Sequence, residues 1–209
     1  MTIGQPGRGE PSTPDDSVPG TTAHPDGRGP TVFGADLAGN GAGGGRVAVG
    51  GRVRPVEVAE LPLLVDLDTR LFGEFAYPYF VLRQLFDLHP ADLLVLDDGG
   101  RLRGYCLGVA GSVPGLGWIL GLGVEPTARG LGHGERLARA TFARLARAGV
   151  SRVRLTVNPY NDSAVKLYRK LGFTFLTHEE DYLGPGAHRR LLEARLPGLD
   201  GNRPGSDHE

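Results

Sequence analysis

The segment Arg129-Gly130-Leu131-Gly132-His133-Gly134 joins an apolar run at residues 117–124 to a helical pattern over 134–148. Glycines at alternate positions let a backbone turn sharply and approach a ligand closely. The helix that follows leaves its first N–H groups unpaired, with about half a positive charge behind them. Strand, glycine turn and helix start in this order make an anion site suited to a pyrophosphate. Seven Arg and one Glu between residues 129 and 154 add a favourable field for a phosphorylated ligand. The loop lacks the Lys-Ser/Thr ending of a nucleoside-triphosphate loop. Its strand follows a hairpin rather than opening a βαβ unit, which argues against a dinucleotide fingerprint.

Hydrophobic periodicity supplies the surroundings of the loop. A strand is expected near 53–57, a helix over 59–72 with Pro62 in its first turn, and a second helix over 78–88 carrying Phe80, Leu82, Leu85, Phe86 and Leu88. Residues 93–96 and 102–109 read as strands joined at Asp97-Asp98-Gly99-Gly100, a hairpin signal. After the strand at 117–124 and the helix at 134–148, with Leu137, Thr141, Leu145 and Ala148 on one face, Val153, Leu155 and Val157 alternate with Arg152, Arg154 and Thr156. A short helix over 163–171 and strands near 173–178 and 189–196 complete the order β-α-α-β-β-β-α-β-α-β-β.

Composition separates this domain from its flanks. Of 34 glycines in 209 residues, 14 lie in residues 1–51, with 6 of the 16 prolines. Few large apolar side chains accompany them, too few to offset a backbone entropy of about 1 to 2 kcal/mol per residue. Residues 1–51 are therefore expected to be a disordered tail, 52–196 the folded domain and 197–209 a flexible acidic tail. Residues 52–196 hold 19 basic and 16 acidic groups, without the concentrated basic excess of a nucleic-acid binder. Cys106 is the only cysteine, so neither an intramolecular disulfide nor a thiolate metal site is expected, and it reads as a small core residue. No metal is expected. The chain has no membrane-length apolar run, and Met1-Thr2-Ile3-Gly4-Gln5-Pro6 lacks the basic and apolar regions of a signal peptide. A cytoplasmic monomer or homodimer with no nucleic-acid or membrane partner is expected.

A second block begins 27 residues after Gly134: Asn161-Asp162-Ser163-Ala164-Val165-Lys166-Leu167-Tyr168-Arg169-Lys170-Leu171-Gly172-Phe173. With both blocks at this spacing, the sequence resembles the GNAT superfamily of N-acetyltransferases. That family has an Arg/Gln-x-x-Gly-x-Gly/Ala loop and then, after one helix and one strand, Asn-x-x-Ala-x-x-Leu-Tyr-x-x-x-Gly-Phe. The resemblance implies a GNAT fold of the α/β (α+β) class, a mixed sheet of six to seven strands flanked by four helices, and acetyl-CoA as co-substrate. It implies that backbone N–H groups across Gly130, Leu131, Gly132, His133, Gly134 and Glu135 hold the pyrophosphate, with Arg129 bordering the phosphates. Val124 would hydrogen-bond the pantetheine arm through its backbone, Asn161 would contact that arm, and Tyr168 would point its hydroxyl at the thioester sulfur.

The implied reaction is acetyl transfer to a primary amine of a small molecule or protein, by direct attack in a ternary complex. The amine must be neutral to attack. Deprotonation at pH 7 costs about 4.6 kcal/mol for a lysine but only about 1 kcal/mol for an α-amine. Relatives carry a base Glu at the positions of Trp118 or Thr156, and neither of these is a base. Glu125, beside Pro126, reads as an exposed turn residue, and His133 as exposed. His178, Glu179, Glu180 and Asp181 cluster before Tyr182, in a loop that lines the acceptor side in N-terminal acetyltransferases; Glu180 is the candidate catalytic carboxylate. Glu74, Tyr77 and Tyr182 are candidates for acceptor binding, while Phe75 and Phe80 are expected in the core. The alternative reading is a non-catalytic acyl-CoA-binding module, consistent with the missing base.

Overall fold

A computed structural model describes residues 51–196; the expectations for the tails lie outside these residues, apart from Gly51. The elements are β1 (Arg52–Pro55), α1 (Leu61–Phe72), α2 (Tyr79–Leu88), β2 (Leu93–Asp98), β3 (Arg101–Ala110), β4 (Leu116–Val124), α3 (His133–Arg147), β5 (Arg152–Val157), α4 (Asp162–Lys170), β6 (Thr174–Glu179) and β7 (Arg189–Arg195). Their order is the expected one. The seven strands form one mixed sheet in the order β1-β2-β3-β4-β5-β7-β6, in which β4 and β5 are the parallel neighbours.

Both faces of the sheet are covered. On one face α3 and α4 bring Leu137, Leu145 and Tyr168 against Leu94, Leu96, Cys106, Ile119 and Leu155. On the other, α1 and α2 bring Leu61, Leu64, Leu67 and Leu82 against Leu93, Val95, Tyr105 and Leu107. Successive residues of β2 therefore enter opposite cores, which is why residues 93–96 are continuously apolar rather than alternating. Cys106 is buried, and burial pushes its thiol up to about 12, leaving it a core hydrophobe as expected.

Two packing expectations are corrected. Phe80 is 63% exposed, because Leu82, Leu85 and Phe86 form the inward stripe of α2 and Phe80 falls on its opposite side. Ala148 is exposed because α3 ends at Arg147 and the chain turns away.

Candidate active site

The parallel pairing of β4 with β5 runs only from Leu116↔Arg152 to Ile119↔Leu155. On its other side, β4 sets Ile119 opposite Gly108 and Gly121 opposite Leu107, leaving Leu120 as a bulge. A bulge bends its strand. From Leu120 to Val124, β4 runs without a β5 partner, while Thr156 and Val157 pair with β7. The result is a wedge at the C-terminal ends of two parallel strands, the position where open α/β sheets take their ligands. Glu125 N–H donates to Arg103 O at 2.7 Å, so strand alternation turns the N–H and C=O of Val124 away from β3 and toward the wedge.

A short turn, Pro126–Ala128, carries the chain into the glycine loop. Gly130 and Gly132 have φ of +77° and +78°, a region that disfavours any side chain, and the space beside both is open. The first bond of α3 is Arg136 N–H to Gly132 O at 3.0 Å. No N–H group from Gly130 to Glu135 makes a full hydrogen bond to a described residue, so these groups remain available as donors at the helix start. Gly134 serves a different need: a Cβ there would lie 3.2 Å from Leu167 Cδ2 of α4. Leu131 is exposed, and the Glu135 carboxylate ties α3 to α4 through Lys170 at 2.6 Å while pairing within α3 with Arg139 at 2.9 Å. Arg129 Nε donates to Val124 O at 2.9 Å, joining the loop to the wedge-facing strand end.

The His133 ring is buried, contrary to the exposed position expected. Its Nδ1 lies 3.4 Å from Arg136 Nη1, and Arg136 also reaches Gly51 O at 2.6 Å, so the side chain turns back beneath β1 while its backbone stays in the loop. Burial first, and Arg136 second, pull its pKa below the ordinary value.

Across the wedge, Asn161 Oδ1 caps α4 by accepting from Ala164 N and Ser163 Oγ, both at 3.0 Å. Tyr168 packs its ring edge-on to Phe173 at 5.6 Å and is 7% exposed. Its hydroxyl hydrogen-bonds to no described residue, and burial, then Cys106, push its pKa above the ordinary value. Cys106, a neighbour of Tyr168 in the same core, stands opposite Leu122 on the stretch of β4 that borders the wedge.

The opposite sheet face brings the acceptor candidates together. Tyr77 donates its hydroxyl to Leu120 O over a long 3.4 Å, and burial, then Asp68 and Tyr182, raise its pKa. Tyr182, 46% exposed, thus neighbours Tyr77; Glu74 is exposed and forms no hydrogen bond or ion pair with them. Phe75 is half-buried and lies 5.0 Å beneath the Arg189 guanidinium. Trp118 and Thr156 sit on this face, each half-buried. The Glu180 carboxylate is exposed and bridges His178, at 3.0 Å, and His188.

Glu125 is buried rather than exposed. Arg70, Arg101 and Arg103 converge on its carboxylate at 3.3, 3.2 and 3.1 Å, and this clamp takes it out of consideration as a base. Asp68 was missed: it is fully buried, with its carboxylate receiving the Tyr105 hydroxyl and Tyr77 N–H. The signal was present, since Asp68 shares the stripe of Leu61, Leu64 and Leu71, and an acid on a buried stripe demands partners. Arg189 carried no comparable signal.

The profile of the acetyltransferase (GNAT) family matches residues 61–173, which includes both the glycine loop and the Tyr168 block. The chain belongs to the GNAT family. Similar proteins include a mycothiol acetyltransferase of Salinispora arenicola, 42% identical over 85 residues, covering 39% of this chain and 28% of that protein. Another, from Streptomyces avermitilis, is 33% identical over 118 residues, 56% of this chain and 34% of that protein. The chain thus matches about a third or less of these relatives' length. Among solved structures, a phosphinothricin acetyltransferase of Sinorhizobium meliloti superposes with a TM-score of 0.61 at 18% identity, over 75% of this chain and 94% of that one. The ribosomal-protein alanine N-acetyltransferase of Escherichia coli gives 0.61 at 17% identity, over 74% and 99%. At these identities the structures share the GNAT fold with this chain.

Proposed function

We propose that this chain is an N-acetyltransferase that moves an acetyl group from acetyl-CoA to a primary amine by direct attack in a ternary complex. The observation that carries this reading is the wedge between β4 and β5, with the N–H donors of the glycine loop following β4 and the Tyr168 hydroxyl, which bonds to no described residue, in the core beside Cys106. Family membership and the acetyltransferase names of the relatives support the same reaction.

Each group has a role that follows from its position. N–H groups from Gly130 to Glu135 receive the pyrophosphate, assisted by the dipole of α3. Val124 offers its wedge-facing N–H to the pantetheine arm, its C=O already accepting from Arg129 Nε, and Asn161 keeps its Nδ2 donors for the same arm while Oδ1 caps the helix. Acetyl-CoA supplies the activated acetyl thioester. A departing thiolate has a conjugate acid with a pKa of about 8.5. Full proton transfer to this thiolate from an ordinary tyrosine, at about 10, is already uphill by about 2 kcal/mol, and the raised pKa of Tyr168 makes it more so. Tyr168 therefore acts by donating a hydrogen bond to the sulfur.

No base stands at Trp118 or Thr156, and Asp68 and Glu125 are fully engaged. We assign the amine proton to solvent and to Glu180 with its flanking histidines, an arrangement adequate for an amine of low pKa such as an α-amine. The same lack of a base keeps one second reading in view, a non-catalytic acyl-CoA-binding module. Incubation with acetyl-CoA and a panel of amines separates the two. Release of free thiol in step with acetylated amine supports the enzyme; tight CoA binding with no transfer supports the binding module.

A further inference from the structure

Arg189 opens β7, is 8% exposed, and pairs with no carboxylate among the described residues. The acids around it are turned elsewhere. Glu179 is its register partner on β6 yet forms no ion pair with it. Glu180 is held by His178 and His188, and Asp181 Oδ1 accepts from Gly186 N at 2.7 Å. A desolvated guanidinium without a counter-charge is expensive to keep in a fold.

The geometry shows where its free edge points. Nη1 donates to His188 O at 2.9 Å, and the guanidinium lies over the Phe75 ring, so the Nε–Nη2 edge has no partner among the described residues. Those nitrogens are not sealed in, since Thr141 Oγ1 is the fully enclosed unpaired polar atom of the described side chains. Leu192 and Ala194 of β7 enter the α3/α4 core. Arg189 instead meets Phe75 from the α1–α2 connection, the segment that also carries Tyr77 to Leu120 and Tyr182.

We infer that Arg189 is the anion receptor of the acceptor site and that the acceptor is an amine bearing a carboxylate. This rests on the transferase reading above. The planar fork of an arginine edge matches the two oxygens of a carboxylate in parallel hydrogen bonds, a match that a neutral amide does not reproduce. The Phe75 ring lies beneath it, and Tyr77, two residues on and neighboured by Tyr182, extends the aromatic surface of the same segment.

The test is equilibrium binding to the full chain saturated with CoA, which requires no turnover. Phenylalanine and leucine are compared with their α-amides and with the matching aminophosphonates, on wild type, Arg189→Gln and Arg189→Lys. Wild type should bind the acids about 10- to 100-fold more tightly than the amides. Arg189→Gln should abolish that preference with CoA affinity unchanged, and Arg189→Lys should restore part of it. Amides binding as well as acids, no member of the panel binding, or an acid preference surviving in Arg189→Gln would each overturn the proposal; tighter phosphonate binding would overturn the choice of carboxylate. Should Arg189→Gln fail to fold, the wild-type comparison of acid with amide stands by itself. Acid-selective binding without acetyl transfer would sink the transferase reading and leave this site intact, whereas transfer to amides and acids alike would do the reverse.

Discussion

Tyr105 of β3 donates its hydroxyl to Asp68 of α1 at 2.5 Å, and Tyr77 N–H reaches the other oxygen of the same carboxylate at 2.6 Å. One buried acid thus fixes α1, the sheet and the segment that overlies Leu120. Gly121 admits this arrangement, because a Cβ there would lie 2.5 Å from the Tyr105 hydroxyl. Tyr105→Phe should lower stability by about 1 to 3 kcal/mol, read from urea unfolding, since a buried charged acceptor loses a donor. An unchanged unfolding midpoint would count against the network.

Asp68 also gives a pH dependence with a definite sign. Burial raises its pKa, against the opposing donors Tyr105 and Tyr77. A carboxyl whose folded pKa is raised contributes stability that is complete below its unfolded value of about 3.9 and is lost as pH rises through the folded value. The stability of wild type relative to Asp68→Asn should therefore fall as pH increases through the raised Asp68 pKa. Paired unfolding curves at stepped pH check this, and a relative stability that climbs with pH contradicts it.

Glu125 should behave in the opposite way. Burial acts to raise its pKa, but Arg103 and Arg101 more than offset this and the net shift is downward. Its contribution is then present above the unfolded value of about 4.3 and lost as pH falls through the depressed one. Glu125→Gln should cost about 1 to 2 kcal/mol at neutral pH, less than for a fully buried pair because Arg70 and Arg101 are largely exposed. The difference should shrink in acid; thermal melts of both proteins at several pH values measure it.

These two acids mark where the sequence is readable. Gly130, Gly132 and Gly134, with the block from Asn161 to Phe173, announce the site because each meets a local demand: a left-handed turn, a close helix approach, a cap. The burial of Glu125 depends on Arg70, Arg101 and Arg103, lying 55, 24 and 22 residues away, and no local pattern carries that information. Leu120 is equally silent, since a bulge inside an apolar strand leaves the run unchanged in appearance. Arg189 sits in an Arg-rich strand whose alternation does not distinguish a buried arginine from a solvated one. His133 reads as exposed because its backbone belongs to the loop, whereas its side chain packs back against Arg136 of the helix.

Gly132→Ala separates loop geometry from fold. The φ of +78° makes a side chain strained by about 1 kcal/mol or more, a modest stability loss. CoA affinity should fall much further, because the loop must relax away from the conformation that aims its N–H groups. Calorimetric titration with CoA, beside a melting curve, reads both; loss of stability with CoA affinity retained would remove the loop from the binding site.

The most direct test of the account is Tyr168→Phe, measured for acetyl transfer and for CoA affinity on the same preparation. The hydroxyl has no structural bond to lose among the described residues, so the variant should fold as wild type does and bind CoA nearly equally. Its kcat should drop by about 10²-fold or more, the loss of a group that serves only the departing sulfur. Wild-type kcat in the variant would contradict the placement of the reaction in the wedge between β4 and β5.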